Sequence, residues 1–278
     1  MERVGFSFRR LWFIACNTLR EAVRQKVFTF LLLLALVVML GVHSFRDLHF
    51  GSPELKFIAD LGLGVMAGFG AVLAVVATTQ LFFSEIERRT VQTLLAKPVW
   101  RAEFVLGKFV GAAVLIGVFC GLLTVLLAGV LWARESALMQ EWPEAFAGGR
   151  LIKYGHLAVV GLLQGSKLLV LAALTLLVAS YAQTQLFTMV TGFLVFVMGH
   201  LQHLAQSAGE RAGASAMAVI SGWVARALPN FQLFNLGEIL GGNGSLAWSH
   251  VLRVMLYGLG YAAAACALAV FCFRRREF

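Results

Sequence analysis

The densest run of ionisable side chains lies at residues 84–103, SEIERRTVQTLLAKPVWRAE, where Glu85, Glu87, Arg88 and Arg89 are followed by Thr90. Ser84 with Glu87 three positions on matches a capping box, in which each side chain satisfies the other residue's free backbone N–H. Glu85 and Arg89 are four apart and pair across one turn. Pro98 biases Lys97 away from helix, so the spacing predicts a short charged helix over about 85–96. Such a helix makes and breaks no bonds. It is either a solvated connector or a surface whose charges pair with a groove on another protein.

Lys167 is the second candidate, because it falls within an apolar block where an ammonium is costly. It either snorkels to an interface or faces a wet cavity or an anionic substrate. The six histidines, His43, His49, His156, His200, His203 and His250, fall at or near the ends of apolar blocks. His200 and His203 are three apart and share a helix face as metal ligands would. An imidazole also suits an interface, apolar in body and polar at the tip, and no metal site is assigned. Cys120, Cys266 and Cys272 lie in apolar blocks and read as small packing residues rather than a disulfide framework.

Several chemistries are disfavoured by what is missing. All 14 Asp and Glu residues stand outside the interiors of the apolar blocks, whereas ion-coupled carriers usually need a carboxylate in the membrane. No H-E-x-x-H pattern occurs. The nearest imitation of a Walker A loop, Val105-Leu106-Gly107-Lys108-Phe109, has Ala102 in place of the first glycine and Phe109 in place of the magnesium-binding hydroxyl. The chain is therefore not read as an ATPase, and no cofactor is assigned to it.

The elements that carry these residues follow from composition. The chain is 60% hydrophobic and 13% charged, with a mean hydropathy of +0.83, against about 25% charged for a soluble domain. The apolar excess falls into blocks near 20 residues long, the length a helix needs to cross about 30 Å of hydrocarbon. Six spans result: 27–42, 61–83, 104–132, about 159–181, 186–204 and about 251–273. The net charge of +9 is not gathered on one soluble face, so nucleic acid is not expected as a partner. Fourteen Lys and Arg lie in residues 1–26, 84–108 and 274–276, and seven in the alternate, longer segments. This bias puts both termini and the 84–103 loop in the cytoplasm.

Before the first span, Phe8, Leu11, Trp12, Ala15, Leu19 and Ala22 recur at helical spacing, with Arg10, Asn17, Arg20, Glu21 and Arg24 opposite. This predicts an interfacial helix over 7–24 that turns upward near Gln25-Lys26. Between the last two spans, the outer segment 205–250 carries an apolar stretch, Ala214–Leu228, about 22 Å long as a helix. That is too short to cross, so it is expected to be re-entrant or interfacial. Glycine pairs such as Gly64 and Gly68, Gly107 and Gly111, and Gly117 and Gly121 permit close helix packing.

Glu85, Arg89-Thr90, Thr93-Leu94-Leu95-Ala96-Lys97-Pro98-Val99, Arg101, Glu103-Phe104, Leu106-Gly107-Lys108 and Gly111 together resemble the permease subunits of ABC-2-type transporters. The branch they resemble includes the permease associated with multicopper-enzyme maturation. Asn17-Thr18-Leu19-Arg20-Glu21-Ala22, Gly199-His200-Leu201, Pro229-Asn230-Phe231 and the terminal Phe273-Arg274-Arg275-Arg276-Glu277-Phe278 extend the resemblance over the chain. It implies a single all-α transmembrane domain over 1–278, with an elbow helix, six spans and an outer hairpin. It also implies a coupling helix over 84–98, presenting Glu85, Glu87, Arg88, Arg89 and Thr90 to a separate ATPase. Two ATPase subunits that bind ATP and magnesium, a second or related permease copy, membrane lipid and a bacterial inner-membrane location complete the expectation. The implied activity is export, with mechanotransmission to a periplasmic partner as the alternative.

Overall fold

Long runs of Leu, Val, Ala and Phe without internal proline fold as helices, because inside a bilayer only intrahelical bonds satisfy every backbone N–H and C=O. The computed structural model describes residues 8–41, 54–87, 100–146, 149–211, 228–235 and 247–274. In chain order the helices are α1 (Phe8–Arg24), α2 (Lys26–Gly41), α3 (Glu54–Glu87), α4 (Arg101–Glu141), α5 (Tyr154–Tyr181), α6 (Gln185–Arg211) and α7 (Trp248–Arg274). Short 3₁₀ turns lie at Pro143–Phe146 and Phe231–Phe234, and there is no strand among the described residues. Helices α3 to α7 are each long and apolar enough to cross a membrane, and α1 with α2, bent by 60°, makes a sixth if taken as one span. The chain is a multi-pass, all-helical membrane protein.

The bend at Gln25 separates α1 from α2, so α1 is not a straight continuation of the first span. Its apolar stripe is divided between two environments. Ala15, Thr18 and Ala22 are buried on the protein, whereas Phe8, Trp12 and Phe13 are exposed. Small side chains face the bundle because they allow close approach, and the aromatics are left for the membrane interface.

Helix α5 is the centre of the bundle and the most deeply buried of the spanning helices, whereas α6 is the most exposed. Leu163, Leu168, Leu171 and Leu176 are wholly buried and tie α5 into the core with α3 and α4. The turn at Phe231–Phe234 also docks into this core, with Phe231 and Phe234 both at 0% exposure. Its polar atoms are satisfied at the same time. The Asn230 backbone N–H donates to the Tyr257 hydroxyl at 3.0 Å, and the Gln232 side-chain amide donates to the His200 carbonyl at 3.1 Å. The expected outer helix at Ala214–Leu228 lies almost wholly outside the described residues.

At 41 residues α4 is about 60 Å long, twice the hydrocarbon thickness, so it continues well past the expected span end at Trp132. At the end of the bundle opposite α1, it builds a headpiece with the start of α3 and the approach to α5. Leu55, Ile58, Leu131, Ile152 and Leu157 form an apolar cluster there. Arg134 grips Glu54 with Nε to Oε1 at 2.6 Å and Nη2 to Oε2 at 3.3 Å. Gly149, at φ 92°, turns the chain after Phe146 in a conformation that favours glycine. The reversed backbone then presents two N–H groups to the buried Glu135 Oε1, Leu151 at 2.7 Å and Ile152 at 3.1 Å. The Tyr154 hydroxyl donates to Glu135 Oε2 at 2.6 Å.

Candidate functional site

The ionisable groups of the α1 end are assembled around the roots of the segment that joins α3 to α4. Helix α1 lies along the first turns of α4, and glycines make that approach feasible. A Cβ on Gly107 would stand 2.6 Å from Ile14, and one on Gly111 would stand 2.6 Å from Thr18. Of the three glycine pairs named from the sequence, this one holds two helices together, whereas a Cβ at Gly64, Gly68, Gly117 or Gly121 would meet no atom of the described residues within 4 Å.

Beneath this crossing, four phenylalanines knot three helices. The Phe104 and Phe273 rings stack at 5.5 Å, and Phe82 meets Phe273 edge-on at 5.6 Å. Phe83 adjoins Phe82 at 6.0 Å, and all four side chains are buried. Rings packed in these geometries add to the free energy of area burial and resist sliding.

An ion network lies beside the aromatic knot. The Lys108 ammonium stands 2.5 Å from Glu85 Oε1 and 3.6 Å from Glu21 Oε2, with the lysine side chain only 2% exposed. The Ser84 hydroxyl donates to Glu21 Oε1 at 3.0 Å, so α1, α3 and α4 meet at one cation. Arg10 reaches the wholly buried Glu103 at 3.2 Å, and Glu103 accepts the Trp100 backbone N–H at 3.1 Å. Arg101 Nη1 donates to the Arg274 carbonyl at 2.7 Å and lies 3.4 Å from that of Phe273, tying the start of α4 to the end of α7. Buried charges are tolerated only when paired in this way.

The model of the family described as ABC-2 family transporter protein matches residues 12–278. The chain belongs to the ABC-2 transporter family. No curated protein matches it. It is accordingly a membrane subunit of an ABC transporter, a class that works with an ABC ATPase and is not itself catalytic.

In this ABC-2 permease the expected charged helix does not begin at Ser84. Helix α3 runs unbroken through Ser84 to Glu87, and the Ser84 hydroxyl faces Glu21 and the Leu81 carbonyl instead of capping a helix. The capping-box spacing is coincidental, since a serine inside a helix bonds back to the preceding turn or across to a neighbour. Glu85 is turned toward Lys108, a partner on another helix that i,i+4 spacing alone does not indicate, and Arg89, the partner expected from that spacing, lies outside the described residues. Glu87 is the last residue of α3, while Arg88, Arg89 and Thr90 lie outside the described residues.

Lys167 stands apart from this platform, in the middle of α5, 3% exposed and with no carboxylate partner among the described residues. It does not snorkel to the surface. His200 packs its ring 4.4 Å from that of Phe196, with Nδ1 2.9 Å from the Phe196 carbonyl. No group of three or more metal-ligating side chains occurs among the described residues.

Sequence reasoning passed over Arg10, Glu21, Glu103 and Lys108 as site residues. One signal was available: a lysine two turns inside α4, at the start of an apolar block, needs a counter-charge nearby. The position of that counter-charge, 23 residues away at Glu85 and further still at Glu21, was not legible.

Proposed function

We propose that this chain is the permease subunit of an ABC exporter in the inner membrane, driven at its α1 end by a separate ATPase that binds ATP and magnesium. The observation that carries the reading is the double clamp on the α3–α4 connection. Its first root is held by Ser84 and Glu85 to α1 and α4, and its second by Glu103 to α1 and Arg101 to α7. A push or pull on residues 88–99 is thereby delivered to four helices at once. A floppy attachment would dissipate the same displacement.

In this reading the 84–98 segment is the coupling element, with Glu87, Arg88, Arg89 and Thr90 toward the ATPase and Glu85 serving as its anchor to the permease. Two permease copies, or a related pair, sit on two ATPase subunits. The Lys and Arg bias places the α1 end in the cytoplasm. Reporter fusions after Phe278 and within Ser84–Glu103 are expected to read cytoplasmic, and fusions within Arg134–Lys153 periplasmic. A periplasmic reading after Phe278 would remove the ATPase from reach of the platform and defeat the proposal.

Lys167 is assigned to the transport path, because a buried ammonium without a carboxylate is stabilised by water or an anionic substrate group in at least one transport state. Lys167→Met is expected to lower substrate-stimulated ATPase activity of the reconstituted transporter several-fold while yield and melting temperature hold or rise. Unchanged stimulation would assign Lys167 to the structure alone.

A further inference from the structure

The membrane-facing sides of α4, α5 and α7 leave a cleft of about 380 Å³ between them. Its floor is the junction of Thr124 with Gly161, and its walls include Gly117, Gly121, Leu162 and Leu259. Among the described residues nothing fills the space at Gly117 or Gly121, where a Cβ would meet no atom within 4 Å. The Thr124 hydroxyl donates to the Cys120 carbonyl at 2.7 Å, so even this polar side chain presents little but hydrocarbon. A groove of this kind, open to the side of a spanning bundle, has lipid as its immediate neighbour.

The helical register leads from the cleft to a cation. Trp132 lies seven residues beyond Val125 on α4 and Tyr154 seven before Gly161 on α5, two turns or about 10 Å along the same faces. The Arg150 guanidinium lies over both rings, 5.4 Å from the Trp132 centroid and 5.9 Å from that of Tyr154, with its side chain 38% exposed. Glu135 Oε2 is 3.7 Å from Arg150 but already accepts the Tyr154 hydroxyl, and Oε1 accepts two backbone N–H groups. Arg150 pairs with Glu135 and bonds the Tyr154 side chain, but a guanidinium has five N–H donors, so it keeps donors for an oxyanion at the level marked by an exposed tryptophan, where headgroups lie.

We propose that this face binds one anionic phospholipid of the surrounding bilayer, with an acyl chain in the glycine-walled cleft and the phosphate on Arg150. Cation at the interface and hydrocarbon beneath it reproduce the order of groups along a lipid, with room between them for the glycerol. An anionic lipid uses both the cleft and the remaining Arg150 donors, whereas an apolar helix of a second copy would use the cleft alone. The inference requires only that the chain spans a bilayer and is independent of the direction of transport.

The test is native mass spectrometry of the purified full-length permease in competition between phosphatidylglycerol and phosphatidylcholine of identical acyl chains. One phosphatidylglycerol per chain should be retained with about tenfold preference, because both headgroups offer the phosphate but choline adds a second cation beside Arg150. Arg150→Gln should abolish the preference, and Arg150→Lys should keep much of it. Gly121→Leu should reduce retention of both lipids about tenfold at unchanged helical content and melting temperature, since the cleft has room for the side chain. Gly117→Val repeats that arm should Gly121→Leu fold poorly. Equal retention of the two lipids by the unmodified chain, an undiminished preference in Arg150→Gln, or displacement of the lipid by excess inorganic phosphate would overturn the proposal. So would Gly121→Leu keeping its lipid while a dimer dissociates, because the occupant would then be the second copy.

Discussion

Lys108→Met is expected to destabilise the α1 end by about 2 kcal/mol, less than the roughly 3–5 kcal/mol of a fully buried pair because the two carboxylates left without their cation are partly exposed. The substitution keeps the volume but leaves Glu85 and Glu21, both within 4 Å of the Lys108 ammonium, to repel one another. The melting temperature of the purified permease should fall by on the order of 10 °C, and hydrogen exchange in α1 should accelerate before that in α5. The accompanying controls separate charge from packing. Lys108→Arg should restore part of the stability, and Lys108→Met with Glu85→Gln should recover much of it, since the double variant leaves one carboxylate, Glu21, which still accepts from Ser84, and no like-charge pair. Melting of Lys108→Met within a degree or two of the unmodified protein would show that the network contributes no net stability.

Reversing charge at Glu87 and Arg88 together is expected to leave membrane insertion and melting intact while reducing copurification with the ATPase at least tenfold. Turning two attractive charge pairs at a protein interface into repulsive ones accounts for that magnitude. The pair begins immediately beyond the anchored turn of α3, where Glu85 is committed to Lys108, so the reversal changes what the platform carries outward and not the platform itself. The two predicted phenotypes are therefore opposite: Lys108→Met unfastens the lever from the bundle, and the Glu87/Arg88 reversal unfastens it from the motor. Wild-type assembly and transport after the double reversal would return residues 84–98 to the status of a solvated connector.

Physical causes acting within a few turns of helix were legible from the amino acids. A block near 20 apolar residues has one stable form in hydrocarbon, and six such blocks dictated the all-helical, multi-pass architecture without reference to any tertiary packing. The amphipathic spacing before the first block marked α1, and the polar Gln25-Lys26 marked its bend. Even here the apolar stripe of α1 conceals two destinations, because periodicity separates apolar from polar but does not separate small residues that meet glycine from aromatics that meet lipid.

What only the tertiary structure decided are the pairings between residues far apart in the chain. Ser84 followed by Glu87 satisfies a local rule for starting a helix, yet its hydroxyl finds Glu21, 63 positions away, and α3 continues through it. Glu85 stands four residues before Arg89, but the cation it meets among the described residues is Lys108, on another helix. Arg101 reaches the far end of the chain at Arg274. Each local rule concerns a few tenths of a kcal/mol to about one kcal/mol, whereas leaving Lys108 or Glu103 unpaired in the interior would cost several. Satisfying the buried charges therefore prevails over the local rules. Which charges meet depends on the helices that Gly107, Gly111 and the four phenylalanines bring together, a matter of shape in three dimensions that no window of sequence contains.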